Sequence, residues 1–469
     1  MSFSEAVFIP YSKMTKIHFI AIGGAAMHNL ALAVASKAGC QVTGSDDEIF
    51  EPALSHLRDA GLLPEEIGWH PERITPDIDA IILGMHARED NPELVRAREL
   101  GIKIYSFPEY LYEQTKDKIR IVVGGSHGKT TTTSMILYVL HRLGIEADYM
   151  VGAQIEGFER MVRLSDTAKY AVFEGDEYLT SPLDLRSKFL WYHPHVAILT
   201  GIAWDHINVF PTFPEYVDTF RKFVHSIEPS ADSHQPSAFI YYEGDENLRQ
   251  LALEISECRD LEISTIPYKE YDGDVAMQVF GRHNMQNLQA AMLACHCIGV
   301  APEDFYREIS SFTGASNRLE KIFENDRSVA YKDFAHSPSK LKATVNAVRE
   351  RYPEKKLIAC MELHTFSSLM ADFLPQYKDC MKEADIAYVY FNPKVIEHKR
   401  LTPITAEDVR KAFGTKNVEV FTASEALQER LKSEIINHKS EDQGIALLMM
   451  SSGTFDGIDV KSFAAELLQ

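Results

Sequence analysis

The run VVGGSHGKTTTTSMIL, Val122 to Leu137, constrains the fold more than any other part of this 469-residue chain. An apolar segment, IRIVV, leads into GGSHGKT, and TTSMILYVLHRLG follows with helical spacing up to Gly144. Strand, glycine turn and helix in that order predict a phosphate-binding loop, because glycines let backbone N–H groups converge on phosphate oxygens and the helix N-terminus adds partial positive charge. Lys129 would reach the β- and γ-phosphates, the Thr130 hydroxyl would ligate Mg²⁺, and Gly124, Ser126, His127, Gly128 and Thr131 would complete the cradle. Val123 stands where G-x-x-x-x-G-K-[ST] has its first glycine; the pattern from Gly124 onward is intact. The plain alternative is a glycine turn that only caps a helix. Threonine is a mediocre helix former, so the run Thr130–Thr133 needs a reason. Thr130 serves the metal, and the others lie in the first turn, where poor propensity costs least.

The rest of the chain repeats strand–helix alternation, which predicts parallel, doubly wound sheets. IHFIAIGG, CQVTGSD and DAIILGM are strands of a first segment that ends near Lys116. AVFEGDEY, VAILTGIAWDH, SAFIYYEGD and EISTIPY are strands of a second, with GRHNMQNLQAAMLACHCIGV as a helix, fading near Gly314. SVAYKDFAHS, LIACMELH, IAYVYFNP, VEVFTA and ALLMMSSGTFDGI belong to a third. The expected class is α/β in three domains: 1–116 Rossmann-like, 117–314 P-loop ATPase-like and 315–469 Rossmann-like.

Net charge is -20, with no basic block, which argues against nucleic-acid or anionic-membrane surfaces. No apolar run approaches the about 18 residues of a membrane span, and MSFSEAVFIPYSKMTK lacks an apolar signal core. The six cysteines, Cys40, Cys258, Cys295, Cys297, Cys360 and Cys380, form no CxxC pair and read as reduced core thiols. The expectation is a cytoplasmic protein without structural zinc.

Phosphate chemistry needs carboxylates for its metal. EGDEY follows the strand AVF and makes Glu174 the leading Mg²⁺ ligand, ahead of Asp176 and Glu177. His206, closing VAILTGIAWDH at a strand's carboxyl edge, is a further ligand candidate, since ligands of open α/β sheets bind at that edge. IAIGGAAM resembles a dinucleotide turn with Ala21 and Ala26 in two glycine positions, and Asp46 in TGSD is placed to accept from a ribose. NAD, a UDP-sugar or a bare strand–helix turn all fit that segment.

Together these motifs resemble the Mur ligases, ATP-dependent amide-forming enzymes of peptidoglycan construction. The resemblance rests on IHFIAIGGAAM…VTGSD, GGSHGKTTTT, EGDEY, Asp205–His206, GRHNMQN, NRLE and KDFAHSP, in order along almost the whole chain. It implies ATP and Mg²⁺, with the muramate carboxyl activated as an acyl phosphate and then attacked by an amine. It implies that Lys129 and Arg318 neutralise phosphates and that Thr130, Glu174 and His206 hold Mg²⁺, with Lys129, His206 and Arg318 as the catalytic set. His283, Asn284, Asn287, Asp333 and His336 would then contact ATP. Gly23, Gly24 and Asp46, then Arg88 and Asn91, would bind UDP-N-acetylmuramate; Asn91–Pro92 could equally be a helix cap and first turn. EGDEYLTSPLDLRSKF and MSSGTFDGI resemble the branch that attaches a recycled murein tripeptide, L-alanyl-γ-D-glutamyl-meso-diaminopimelate, with Arg186 and Lys188 as candidate partners for its carboxylates. The L-alanine-adding branch is the alternative. A folate-type polyglutamate ligase would not need the first segment, and a non-catalytic UDP-sugar binder would not need GKT and EGDEY. The chain departs from the family at Gly201, Ala203, Lys332 and Ser337, which bears on the nucleotide and metal contacts.

Overall fold

The computed structural model describes residues 14–229, 237–257, 263–273, 275, 277–414, 417–438 and 443–469. Cys258 and most of the N-terminal MSFSEAVFIPYSKMTK stretch lie outside them. Among the described residues no helix is long and apolar enough to cross a membrane, and Cys40, Cys295, Cys297, Cys360 and Cys380 are free thiols.

The first unit is a parallel sheet of β1 (Thr15–Ile20), β2 (Cys40–Ser45), β3 (Ala80–Leu83) and β4 (Lys103–Ser106), in the order β2-β1-β3-β4. The helix Ala25–Ala35 follows β1 directly, so the Gly23–Gly24 turn sits at the carboxyl edge of the sheet. Helix Phe107–Thr115, started by Ser106 and Glu109 as a capping box, leads into the second unit.

That unit holds β5 (Ile119–Gly124), β6 (Ala147–Met150), β7 (Val162–Arg163), β8 (Tyr170–Glu174), a hairpin of β9 (Leu179–Ser181) and β10 (Asp184–Ser187), then β11 (Val196–Leu199), β12 (Ser237–Tyr242) and β13 (Ile263–Tyr268). The large sheet runs β13-β12-β11-β5-β8-β6-β7, parallel except for β7. β5 is apolar without alternation because both faces are covered. Ile121 and Val123 pack with Met135, Val139 and Leu288, while Val122 packs with Phe173, Phe189 and Phe223 on the other face. The sequence reading took VAILTGIAWDH as one strand, but β11 stops at Leu199. Gly201, at φ +150°, turns the chain into a loop that carries Asp205 and His206.

The third unit contains β14 (Glu320–Glu324), β15 (Val329–Asp333), β16 (Lys356–Glu362), β17 (Ile386–Tyr390), β18 (Val418–Phe421) and β19 (Ile445–Met450), ordered β14-β15-β19-β16-β17-β18 with only β14 antiparallel. The apolar cores differ in reach. One cluster runs unbroken from Phe19, Leu30 and Val34 of the first unit to Phe173 and Phe220 of the second. The buried clusters of the third unit are built from its own residues, with Ile207 and Phe280 of the second unit packed against one of them.

Arg120 fastens the link between the first two units. It is fully buried on β5. Its guanidinium donates to the carbonyls of Thr115, Lys116 and Lys118 at the end of the linker, to Tyr192 and His193 across the sheet, and to the Glu228 carboxylate.

Candidate active site

The glycine loop is shaped by its neighbours as much as by its glycines. Gly128 adopts φ +76° as the N-cap of helix Lys129–Arg142, and a Cβ there would strike the Asn287 amide. At Gly125, φ +121°, a Cβ would strike the Thr200 hydroxyl. The Lys129 ammonium donates to the Gly125 carbonyl and to Glu177 Oε2, each at 2.7 Å. Thr130 Oγ1 donates to Glu174 Oε1 at 2.9 Å and accepts from Arg318 Nη2 at 3.0 Å. Thr132 reaches the Asn287 amide oxygen and Ser134 the Thr130 carbonyl, so hydroxyls of this helix start knit the loop to its surroundings.

Several residues that sequence reading assigned to ligands carry structural tasks here. The Ser126 hydroxyl accepts from the Ala203 N–H at 2.8 Å and lies 2.8 Å from the Tyr216 hydroxyl, which donates to Glu177 at 2.9 Å. Only its backbone is left for phosphate. The Asp333 carboxylate accepts from Leu319 N–H, Ala335 N–H and the Thr344 hydroxyl, and so fixes the start of helix Pro338–Arg351. Asn284 donates to the Phe280 carbonyl and accepts from Asn287. Lys188 pairs with Asp176 at 2.6 Å and lines the cleft, and Arg186 grips Asp184 and stacks on Trp191.

The family departures have local explanations. A side chain at Gly201 would enter the His127 ring, so the glycine makes room for that histidine. Lys332 stands opposite Glu320 in the β14–β15 register and feels Asp459; strand alternation turns it away from the side of β15 where Asp333 works. Ser337 is a buried N-cap residue.

One cleft of about 770 Å³ gathers most of these groups, with Gly24, Met27, Met85 and Phe107 of the first unit at its rim. Lys129, Thr130, Glu174 and His206 line it from the second unit, as do His127, His283, Asn284 and Asn287, while Arg318, Asp333 and His336 come from the third. Asp46 shapes the rim instead of lining it: its oxygens accept from Gly23 N–H at 2.7 Å and Asp47 N–H at 2.9 Å. Asn91 is a correction to the ligand reading. Its amide oxygen caps helix Pro92–Glu99 by accepting from Glu93 and Leu94 N–H groups, and the side chain is buried. Arg88 is exposed and faces Asp90. Met27, Met85 and Phe107 were missed because single apolar residues beside a turn carry no motif.

The oxygen pair Thr130–Glu174 fits a hard divalent cation, which takes a hydroxyl and a carboxylate readily and leaves the remaining positions to phosphate and water. His206 is held elsewhere, with Nε2 3.8 Å from Glu177 Oε1 and its ring edge-on to Tyr178. It therefore stands with Glu177 and not in the Thr130–Glu174 pair. Among the described residues no group of three or more His, Cys, Asp or Glu is arranged around a metal position.

Burial and charge set the protonation states. Burial lowers Lys129, but the Glu177, Asp176 and Glu174 carboxylates outweigh it and hold the amine above its ordinary pKa. Burial raises Asp176, yet Lys188, Lys129 and His206 bring it well below the usual carboxylate range. Burial takes His127 and His283 down to about 4 and His336 to about 3. His195, behind the sheet, is also lowered to about 4 by burial, and its Nδ1 accepts from the Arg120 N–H. These imidazoles are neutral when folded and titrate near 6.5 when unfolded. The unfolded chain therefore binds more protons below pH 6.5. Stability present above that value should fall as pH drops towards 4, by about 1.4 kcal/mol per pH unit for each such histidine. Urea midpoints that stay flat between pH 6.5 and 4.5 would contradict these neutral states.

Comparison with known proteins agrees with this arrangement. The pattern described as Mur ligase family, catalytic domain, matches residues 16–118, and that of the Mur ligase middle domain matches 123–295. The UDP-N-acetylmuramate--L-alanyl-gamma-D-glutamyl-meso-2,6-diaminoheptandioate ligase of Haemophilus influenzae is 28% identical over 464 residues, 96% of this chain and 98% of that one. The UDP-N-acetylmuramate--L-alanine ligase of Lactiplantibacillus plantarum is 30% identical over 371 residues, 76% and 80% of the two chains. The crystal structure of a murein peptide ligase from Psychrobacter arcticus superposes with a TM-score of 0.64 at 22% identity, covering 97% of this chain and 98% of that one. That of the Thermotoga maritima UDP-N-acetylmuramate-alanine ligase superposes at 0.67 and 21%, covering 94% and 96%. With a nucleotide loop, an acidic second strand and a third unit closing one cleft, this chain belongs to the Mur ligase family of ATP-dependent carbon–nitrogen ligases.

Proposed function

We propose that this ligase joins the amine of L-alanyl-γ-D-glutamyl-meso-diaminopimelate to the carboxyl of UDP-N-acetylmuramate, as in peptidoglycan recycling. The observation that carries the reading is the convergence of three units on one cleft: the Gly24 turn of residues 1–116, the Lys129–Thr130 loop of residues 117–314, and Arg318 from residues 315–469. In this division the first unit holds the sugar nucleotide, the second ATP and the third the amine.

A carboxylate has no leaving group, so its oxygen first takes the γ-phosphoryl group of ATP. Lys129 and Arg318 neutralise the phosphate oxygens and Gly124–Gly128 present backbone N–H groups to them. Thr130 and Glu174 would hold Mg²⁺, which when bound neutralises charge on the phosphates. Catalysis of this step is chiefly positioning and charge stabilisation. The peptide amine then attacks the activated carbonyl, and phosphate departs.

The tripeptide is favoured over L-alanine because the Haemophilus relative matches 96% of the chain, whereas L-alanine ligases match 76% to 88% of it. A panel of amines with the purified protein tests this. Phosphate release should require UDP-N-acetylmuramate, Mg²⁺ and tripeptide together, with L-alanine at least about tenfold poorer in kcat/KM, a margin of about 1.4 kcal/mol. Release with L-alanine and none with tripeptide would assign the chain to the other branch. No release with any amine would favour a sugar-nucleotide binder.

A further inference from the structure

Lys340 is a cleft cation that the roles above leave unused. It sits in the first turn of helix Pro338–Arg351. Asp333 anchors that helix through Ala335 and Thr344, and the Tyr377 hydroxyl donates to the His336 carbonyl just before it. The side chain is therefore carried on a fixed element of the third unit. It lines the same cleft as Lys129, Thr130, Glu174 and Arg318.

Its charged neighbours locate it within that cleft. Asp205 and Glu177 attract its ammonium, and Lys129 and Arg318 repel it. Its charge also reaches His127 in the loop and His336 on its own side. Lys129, Arg318 and His127 are the phosphate end of the site. The other two cations there have direct partners: Lys129 has Glu177 at 2.7 Å, and Arg318 has the Thr130 hydroxyl at 3.0 Å. Among the described residues no hydrogen bond or ion pair holds the Lys340 ammonium. Burial disfavours its charge, and a partly buried ammonium without a direct counterion gains from an anion that enters the cleft beside it.

We propose that Lys340 is a catalytic residue, donated by the third unit, whose ammonium binds the phosphoryl group in transfer from ATP to the substrate carboxylate. This deepens the function proposed above and rests on it. In that step a carboxylate oxygen forms a bond to the γ-phosphorus. The bond from phosphorus to the β–γ bridging oxygen breaks, and its electron pair leaves on ADP. No proton moves. Charge builds on the three non-bridging oxygens, and Lys340 stays protonated and balances it. A cation from the third unit beside the terminal phosphate also makes triphosphate binding favour the closed arrangement, which diphosphate does not.

The test uses the full chain with Lys340→Met, Lys340→Gln and Lys340→Arg. Calorimetry with Mg²⁺ measures the binding of ADP and of a non-hydrolysable ATP analogue, and phosphate release gives kcat and KM. Lys340→Met should keep the ADP Kd within about threefold, weaken the triphosphate analogue about tenfold, and lower kcat about 10²-fold. Lys340→Gln should behave alike, and Lys340→Arg should recover most of both losses. Equal weakening of both nucleotides, or an unchanged triphosphate-to-diphosphate ratio, would overturn the assignment. Wild-type protein that binds neither nucleotide would sink the ATP site itself, and that result appears before any variant is made.

Discussion

Lys129→Ala should lower phosphate release by about 10³-fold while a uridine nucleotide sugar binds within about twofold of wild type. The size follows from where the ammonium sits. It is anchored on the Gly125 carbonyl and Glu177 at the mouth of the phosphate loop, so it meets the terminal phosphates without reorganising. The selectivity follows from distance along the fold, since the Gly23–Gly24 turn belongs to another sheet. The substitution also leaves Glu177, 1% exposed, with one partner fewer, and breaking a buried pair costs about 3–5 kcal/mol. A second variant, Lys129→Ala with Glu177→Gln, should regain much of that stability and none of the turnover. Isothermal titration with UDP-N-acetylmuramate and a phosphate-release assay read the two effects separately. Parallel loss of sugar-nucleotide affinity would refute the division of labour between the units.

Arg120→Met should be among the most damaging single changes to stability, although it lies at the amino end of β5 and does not line the cleft. The replacement strips donors from five carbonyls and from Glu228 at once. Unpaired buried acceptors cost about 1–3 kcal/mol each where water cannot reach them, and loss of a buried charge partner about 3–5. Because Glu228 is 37% exposed and can rehydrate, a net loss of about 3–5 kcal/mol is expected. For domains of this size that corresponds to a fall of roughly 6–20 °C in Tm. Differential scanning calorimetry of the variant checks it; a Tm within 2 °C of wild type would mean that the linker is held by apolar packing alone.

What the sequence made legible was local. The strand, glycine turn and helix around Lys129 are encoded within about twenty consecutive residues, and the parallel strands announce themselves as apolar runs between turns. The contacts that finish the site come from far along the chain. Ser126 meets Tyr216, and Thr130 meets Arg318, 188 residues away. No spacing rule connects such partners. Asn91 was ambiguous for a physical reason: an Asn before Pro is as good a helix cap as a ligand contact, and packing decided for the cap. His206 was read on a strand edge because its run is apolar up to Trp204, whereas Gly201 ends the strand's course early by taking a conformation that most residues avoid.

The unbroken apolar cluster under the first two units, set against the third unit, which Ile207 and Phe280 touch from the second, has a consequence for the order of events in a turnover. Whatever occupies the Gly23–Gly24 turn rests on a two-unit block joined by packed side chains. The proposed nucleotide site lies instead along a seam bridged by Arg318 to Thr130 and His336 to Asp205, and by the Phe280 ring against Tyr331. Parting that seam leaves the first two units joined, so on the proposed function spent ADP would exchange while the sugar-bearing ligand stays seated.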